Sequence, residues 1–458
     1  MNRVVVINVV GLTLSLIGEQ TPFLKKWITK KSVATIKPVL PAVTCTVQAT
    51  YLTGKLPGEH GIVSNGWYFK DECEVKFWKQ SNKLIQAKKI WELLKEQNPD
   101  FTCANMFWWY NMYSSADYSV TPRPQYHADG IKMPDCYSHP AALRDELQNE
   151  LGTFPLFDFW GPRTTIKSSK WIAEASMKVE AKYHPTLTLI YLPHLDYNFQ
   201  RFGNDLEKTK TDLHEIDKVC EQLISFYEKN KVEVIVLSEY GITNVNNPIH
   251  LNRTLRKNNL LAIRDEEGLE LLDAGACEAF AVTDHQVAHV YIKNKNKIEE
   301  VKQLLQKVAG VELVLASIDE KIKHGLHHER SGDIICVADK NSWFTYYYWL
   351  DDNKAPDFAR IVDIHKKPGY DPVELFINPE IKMPMAKVGA TLLKKKLGFR
   401  YLMDVIPLDA TLVKGSHGRI PESENDWPIF IASEKISQGK TTIKATDVFE
   451  LMRKAVDA

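Results

Sequence analysis

A chain of 458 residues is long enough for one large α/β domain with insertions or for two or three smaller domains, and 44% hydrophobic with 10% aromatic residues is the composition of a globular protein. With 58 basic and 58 acidic side chains the formal charge is zero. Bulk charge therefore holds neither a nucleic acid nor an anionic membrane, and any anion has to be recognised locally. Seven cysteines, at 45, 73, 103, 136, 220, 277 and 336, include no CxxC or CxxxC pair, which argues against a disulfide framework and a cysteine-based zinc site. The first apolar run, VVVINVV over Val4–Val10, is too short for a signal segment or a membrane span and reads as a strand buried on both faces. The expectation is a cytoplasmic protein that begins directly with a strand.

A helix-compatible stretch runs to about Lys31, and PAVTCTVQATYLTGKLPGEHG over Pro41–Gly61 follows. Pro41 biases the chain before it away from helix, the run Cys45–Leu52 has helical spacing, and Thr44 falls where an N-cap would fall. A hydroxyl there sits at the positive end of a helix, a place that favours a phosphate or sulfate group; a plain capping role makes the same demand on the residue. Further apolar runs predict strands at Leu187–Leu192, Val232–Leu237, Val287–Ile292, Asp333–Ala338 and Pro428–Ala432. Helical patterns separate them at Ile90–Glu96, Ala141–Leu151, Trp171–Tyr183, Leu206–Lys229 and Ile298–Val308. The alternation predicts a wound, mostly parallel sheet whose ligand site lies beyond the carboxyl ends of its strands.

The loops at that edge are Val10-Gly11, PHLDYNFQRFG after Leu192 and SEYGI after Leu237, and a last loop, KGSHGR, holds His417 between glycines. No repeat, low-complexity tract or clean linker divides the chain, so residues 1–458 read as one α/β domain with insertions near 107–162 and 343–400. Two aromatic clusters, FWWYNMY and WFTYYYWLDD, head these insertions, as a wall of the fold or as a surface for stacking a ring.

The order of motifs, a strand ending in a glycine turn, then PxxT…TGxxPxxHGIxxN, YLPxxDxxxQxxG, VLSEYGI and GSHG, resembles the type I phosphodiesterase/nucleotide pyrophosphatase branch of the alkaline phosphatase superfamily. The resemblance implies the α/β alkaline phosphatase-like fold, a central sheet with helices on both faces. It implies Thr44 as the nucleophile, passing through a phospho-threonine, with Gln48 and Asn65 as substrate-binding candidates. It also implies two zinc ions about 4 Å apart, held by three aspartates and three histidines. Here Val10 stands at the first aspartate, Asp196 is kept while Gln200 replaces a histidine, Glu239-Tyr240 replaces an Asp-His pair, and His417 is kept. An asparagine that the family places three residues past the nucleophile is Val47.

The remaining metal candidates, Asp196, Gln200, Glu239 and His417, form an oxygen-rich set that suits one divalent ion such as Mg²⁺ or Mn²⁺, with zinc open, and not an intact two-zinc centre. Asp284-His285, His289, His327-His328 and Asp363-Ile364-His365 offer further imidazoles. Two readings follow from the resemblance: a divergent hydrolase or transferase of a phosphorylated or other small anionic metabolite, or a pseudoenzyme that binds its ligand without the zinc pair. A third, metal-independent isomerase or mutase chemistry, has family precedent only in relatives that use zinc or manganese. The expected partner is a small anion, with no nucleic acid and no membrane.

Overall fold

The computed structural model describes residues 1–128 and 131–458. Its central feature is a nine-stranded sheet in the order Thr442–Lys444, Ser32–Lys37, Ile429–Ala432, Glu233–Leu237, Val4–Val9, Leu187–Leu192, Cys103–Met106, Tyr118–Pro122, Cys136–His139. The three runs expected to be interior neighbours lie side by side at its centre. Val4–Val9 pairs in parallel with Leu187–Leu192 on one side and with Glu233–Leu237 on the other. All three are buried almost throughout, as β-branched segments covered on both faces must be. Ile429–Ala432 also joins this sheet, but antiparallel to both of its neighbours.

Helices cover both faces. Pro22–Trp27, Lys167–Tyr183 and Leu206–Lys229 pack together on one side, and Thr44–Thr53, Ile90–Gln97 and Asp447–Asp457 on the other. Among the described residues, no helix is long and apolar enough to cross a membrane.

Two apolar runs expected in the wound sheet lie elsewhere. Val287–Ile292 and Ile334–Ala338 belong to a four-stranded antiparallel sheet with Ala279–Asp284 and Val311–Leu315. Apolar periodicity cannot tell the two sheets apart, because both faces of these strands are buried too. This second sheet has its own apolar cluster, which absorbs Trp343, Tyr346, Tyr347, Tyr348 and Trp349. In the first cluster of rings, Phe107 and Trp108 are core of the main sheet. Both aromatic groups thus serve as walls of the fold.

The hairpin Ala279–Asp284/Val287–Ile292 pairs Asp284 with Val287, so His285 and Gln286 form a two-residue turn. His285 takes φ +57° there, the left-handed conformation that such tight hairpins use. The turn faces the main sheet, and Gln286 N donates to His417 O at 3.0 Å.

Candidate functional site

Thr44 is the first residue of the helix Thr44–Thr53, and the capping position is Val43, which supplies no side-chain cap. The expectation of a capping threonine is corrected by one residue, a shift within the ordinary uncertainty of helix ends. The cap function passes to Asn65, whose Oδ1 accepts from Cys45 N at 2.9 Å. Asn65 is itself fixed from the second sheet: its backbone N and its Nδ2 donate to the two oxygens of Asp284, which also takes the Ser64 hydroxyl. The Thr44 hydroxyl is thereby freed from capping.

It meets the Tyr240 hydroxyl at 3.0 Å, and Tyr240 Oη lies 3.3 Å from Asp196 Oδ1. An ionised carboxylate only accepts, so Tyr240 donates to Asp196 and Thr44 donates to Tyr240. Asp196 and Gln200 share one face of the helix His194–Phe202, which starts directly beyond the Leu187–Leu192 strand. Gln200 Nε2 donates to Asp196 Oδ2 at 2.8 Å and lies 3.0 Å from the Tyr370 hydroxyl. Burial pushes the Asp196 carboxyl up to about 6, against the pull of His285, Tyr240 and Gln200.

His417 donates from Nδ1 to Ala42 O at 2.7 Å. Its Nε2 therefore carries a lone pair. That nitrogen is buried without a hydrogen-bond partner, 3.8 Å from Asp196 Oδ1. The ring stacks between Tyr240 and His285, with centroids 3.6 and 3.7 Å away. His285 is bonded through Nδ1 to Asp284 at 2.7 Å, and its Nε2 is likewise buried without a partner.

Glu239 follows the Glu233–Leu237 strand and points back under the Thr44 helix. Its Oε1 accepts from Asn8 Nδ2 and Gln48 Nε2, each at 2.5 Å. Burial raises its carboxyl to about 8 while the hydrogen bonds from Gln48 and Asn8 pull the other way. At neutral pH it is a protonated, hydrogen-bonded acid. Gln48 also accepts from Trp109 N at 2.6 Å, so it is committed on both ends.

Thr44, Gln48, Asn65, Asp196, Gln200, Glu239 and His417 thus gather at the carboxyl edge of the central strands. Asp196, at 8% exposure, is the least buried, which puts the opening at that residue. The site also contains Asn8, Tyr240, Asp284, His285 and Tyr370. Asn8 had a signal in the sequence, being the one polar residue in VVVINVV. Tyr370 had none, because it arrives from a loop far along the chain. His365 lies away from the cluster, with Nδ1 against Phe77 O at 3.3 Å, and His328 pairs with Gln86.

The two halves of the implied zinc pair fare differently. On the nucleophile side, Val10 is aliphatic, Tyr240 is engaged with Thr44 and Asp196, and Glu239 gives Oε1 to Asn8 and Gln48; with a single carboxylate and no imidazole, this set does not fit a metal ion. On the other side, the orphaned Nε2 of His417 beside the Asp196 carboxylate is a pair that an ion with bonds near 2 Å can bridge. Among the described residues, the only three His, Cys, Asp or Glu side chains with ligand atoms within 4.8 Å of one another are His194, Asp212 and Glu215, outside this cluster.

A family model for type I phosphodiesterase / nucleotide pyrophosphatase matches residues 4–371. Ectonucleotide pyrophosphatase/phosphodiesterase 2 of Saccharomyces cerevisiae is 25% identical over 225 residues, 46% of this chain and 39% of that protein. A pyrophosphatase/phosphodiesterase of Schizosaccharomyces pombe is 24% identical over 213 residues, 45% of this chain and 37% of its own length. The chain thus spans about two fifths of the length of these curated relatives.

Among solved structures, murine ectonucleotide pyrophosphatase/phosphodiesterase 5, an inactive Thr→Ala variant in complex with AMP, superposes with TM-score 0.59 at 15% identity, covering 100% of this chain and 95% of that one. Phosphonoacetate hydrolase of Sinorhizobium meliloti, in complex with phosphonoacetate, gives 0.61 at 12% identity, covering 99% and 96%. At such identities the likeness speaks to the fold, which is the alkaline phosphatase-like one implied by the motif order.

Proposed function

The chain belongs to the type I phosphodiesterase / nucleotide pyrophosphatase family, and from that premise we propose that it is a divergent phosphoric-ester hydrolase with Thr44 as nucleophile and one divalent ion in place of two. The observation that carries this reading is the lone pair of His417 Nε2, buried and unpartnered beside Asp196 at 3.8 Å. Asp196 and His417 would hold the ion, with Gln200 orienting the carboxylate by donating from Nε2 to Asp196 Oδ2. A divalent ion there would supply Lewis-acid charge to a bound phosphoryl group.

Such charge is needed. Asp196 and Asp284 make no hydrogen bond or ion pair with a lysine or arginine among the described residues, so without a cation the site repels an anion. The substrate class is a small phosphorylated metabolite, in keeping with the AMP and phosphonoacetate bound by the structural neighbours.

The chain's own groups prepare the nucleophile. Thr44 Oγ–H points at Tyr240 and leaves its lone pairs for phosphorus. As the Oγ–P bond forms and the bond to the leaving oxygen breaks, the Thr44 proton passes to Tyr240 Oη while the Tyr240 proton moves to Asp196. The hydrogen-bonded route from Thr44 through Tyr240 to the Asp196 carboxylate provides the path for that transfer. The helix N-terminus favours the negative charge that gathers on the phosphoryl group.

The test is turnover of aryl phosphodiesters and phosphomonoesters with Mg²⁺, Mn²⁺ or Zn²⁺ added. Slow turnover that requires added metal and drops to background in Thr44→Ala is expected. Turnover that survives chelation or the Thr44→Ala change defeats the proposal. A second reading, a binding protein without catalysis, is favoured by one observation: the Tyr240 hydroxyl already satisfies both Thr44 and Asp196. Ligand binding with no turnover under any metal would select it.

A further inference from the structure

We infer that His194, Asp212 and Glu215 form a separate site for one divalent transition-metal ion of the zinc class, clasping the helix that carries Asp196 to the long helix behind it. His194 opens the helix His194–Phe202 and points away from Asp196, toward Leu206–Lys229. Asp212 and Glu215, three residues apart on that long helix, share one face of it. His194 Nε2 lies 3.2 Å from Asp212 Oδ1 and 3.5 Å from Glu215 Oε2. Tetrahedral ligands bound to zinc at about 2.0–2.1 Å stand about 3.3 Å from one another; the two distances from His194 match that spacing, and all three ligand atoms lie within 4.8 Å of one another.

Two further observations separate this cluster from an ordinary ion pair. His194 is 2% exposed, yet neither of its ring nitrogens makes a hydrogen bond of acceptable geometry, although two carboxylates lie against Nε2. An N–H paired with a carboxylate aligns with one oxygen; this nitrogen is aligned with neither. The carboxylate is also braced as a metal ligand is. Asn198 Nδ2 donates to both oxygens of Asp212 at 2.8 and 2.9 Å, and Arg201 holds Asn198 Oδ1 at 2.7 Å. Glu215, with 37% of its side chain exposed, leaves a path for the ion and for a water as fourth ligand.

One histidine and two carboxylates suit zinc, and manganese or cobalt as substitutes. The site would lock the first turn of the helix that presents Asp196 and Gln200. Protons compete with the metal for the His194 imidazole, so affinity weakens on acidification.

The experiment is calorimetric titration of the chelator-stripped full chain with Zn²⁺, alongside His417→Ala alone and combined with Glu215→Gln or Asp212→Asn, each checked for native circular dichroism. Expected is a zinc equivalent that persists in His417→Ala, weakens at least about tenfold when Glu215→Gln or Asp212→Asn is added to His417→Ala, and raises the melting temperature of His417→Ala but not of the His417→Ala/Glu215→Gln double variant. Co²⁺ should give a tetrahedral absorption band in His417→Ala that is lost in the two double variants. Zinc binding unchanged by both carboxylate substitutions overturns the inference. So does an imidazolium at His194, detected by NMR at neutral pH with zinc present, since that identifies the cluster as an ion pair. Because His417→Ala removes only the ion proposed beside Thr44, failure of either site is told apart from failure of the other.

Discussion

Replacing Tyr240 by Phe isolates the hydroxyl that joins Thr44 to Asp196. The ring can keep its stack on His417, at 3.6 Å and 7°, so the perturbation is confined to one oxygen. That oxygen makes a bond of 3.0 Å to Thr44 and one of 3.3 Å to Asp196. A neutral bond contributes about 1 kcal/mol net and one to a carboxylate about 1.5–3 kcal/mol, with the longer contact at the low end, so the expected loss is about 2.5 kcal/mol. For a chain of this size the unfolding entropy is about 1 kcal/mol per kelvin, so the melting midpoint falls by only about 2–3 °C, and urea unfolding is the better assay.

The functional effect is larger. With no acceptor for the Thr44 proton, turnover should fall about 100-fold. The pH profile carries a second signature. The Tyr240 hydrogen bond is one of the influences holding Asp196 down toward about 6. Its removal raises that pKa in the metal-free chain, so protons compete with the ion for the carboxyl at higher pH, and the acid limb of metal-dependent turnover moves to higher pH. A Phe variant as active as the parent, with the same acid limb, would show that the Thr44 proton does not leave through Tyr240.

Two other outcomes test the folded state and the altered metal ligands. Burial holds His289 down to about 4, with both ring nitrogens engaged, by Gly332 N at Nδ1 and against Val63 O at Nε2. A folded pKa below the usual 6.5 gives stability that is present above 6.5 and lost as pH falls toward 4, so the advantage of the parent over His289→Gln should shrink by about 2 kcal/mol between pH 7 and pH 5. Urea unfolding at the two pH values checks this, and a pH-independent difference refutes it. The paired substitution Val10→Asp with Tyr240→His should add a zinc equivalent beside Thr44, read by metal analysis, since each supplies a ligand at the edge of the sheet; no gain in zinc would mean that the geometry there no longer supports an ion.

What was legible in the sequence was mostly local. Leu187–Leu192, Ala141–Leu151 and Leu206–Lys229 have the predicted bounds because each is set by periodicity and its own flanking residues. Ser32–Lys37, Cys103–Met106 and Thr442–Lys444 were not foreseen as strands of the main sheet. They are short, carry polar residues, and owe their conformation to partners remote in sequence. The assignment of Val287–Ile292 to the wound sheet failed for a related reason: burial on both faces fixes that a segment is a strand and says nothing about which sheet it joins.

The same division runs through the site. Thr44, Asp196 and His417 could be placed from motif spacing because strand-end loops must present them on one edge. The electrostatic state of that edge could not, because it is set by residues from other parts of the chain. Asn65 is a helix cap only because Asp284, on a hairpin of the second sheet, anchors it. His417 has a free lone pair only because Ala42 O takes its Nδ1 proton. Glu239, which motif position alone presents as an anionic ligand, is held neutral by burial beneath the Thr44 helix with two amides on one oxygen. Substitutions at Val10, Gln200 and Tyr240 read in sequence as three separate losses. In the folded chain Gln200 and Tyr240 both act on Asp196, one on each carboxylate oxygen, and so determine how much of that carboxylate remains for an ion, a proton or a substrate.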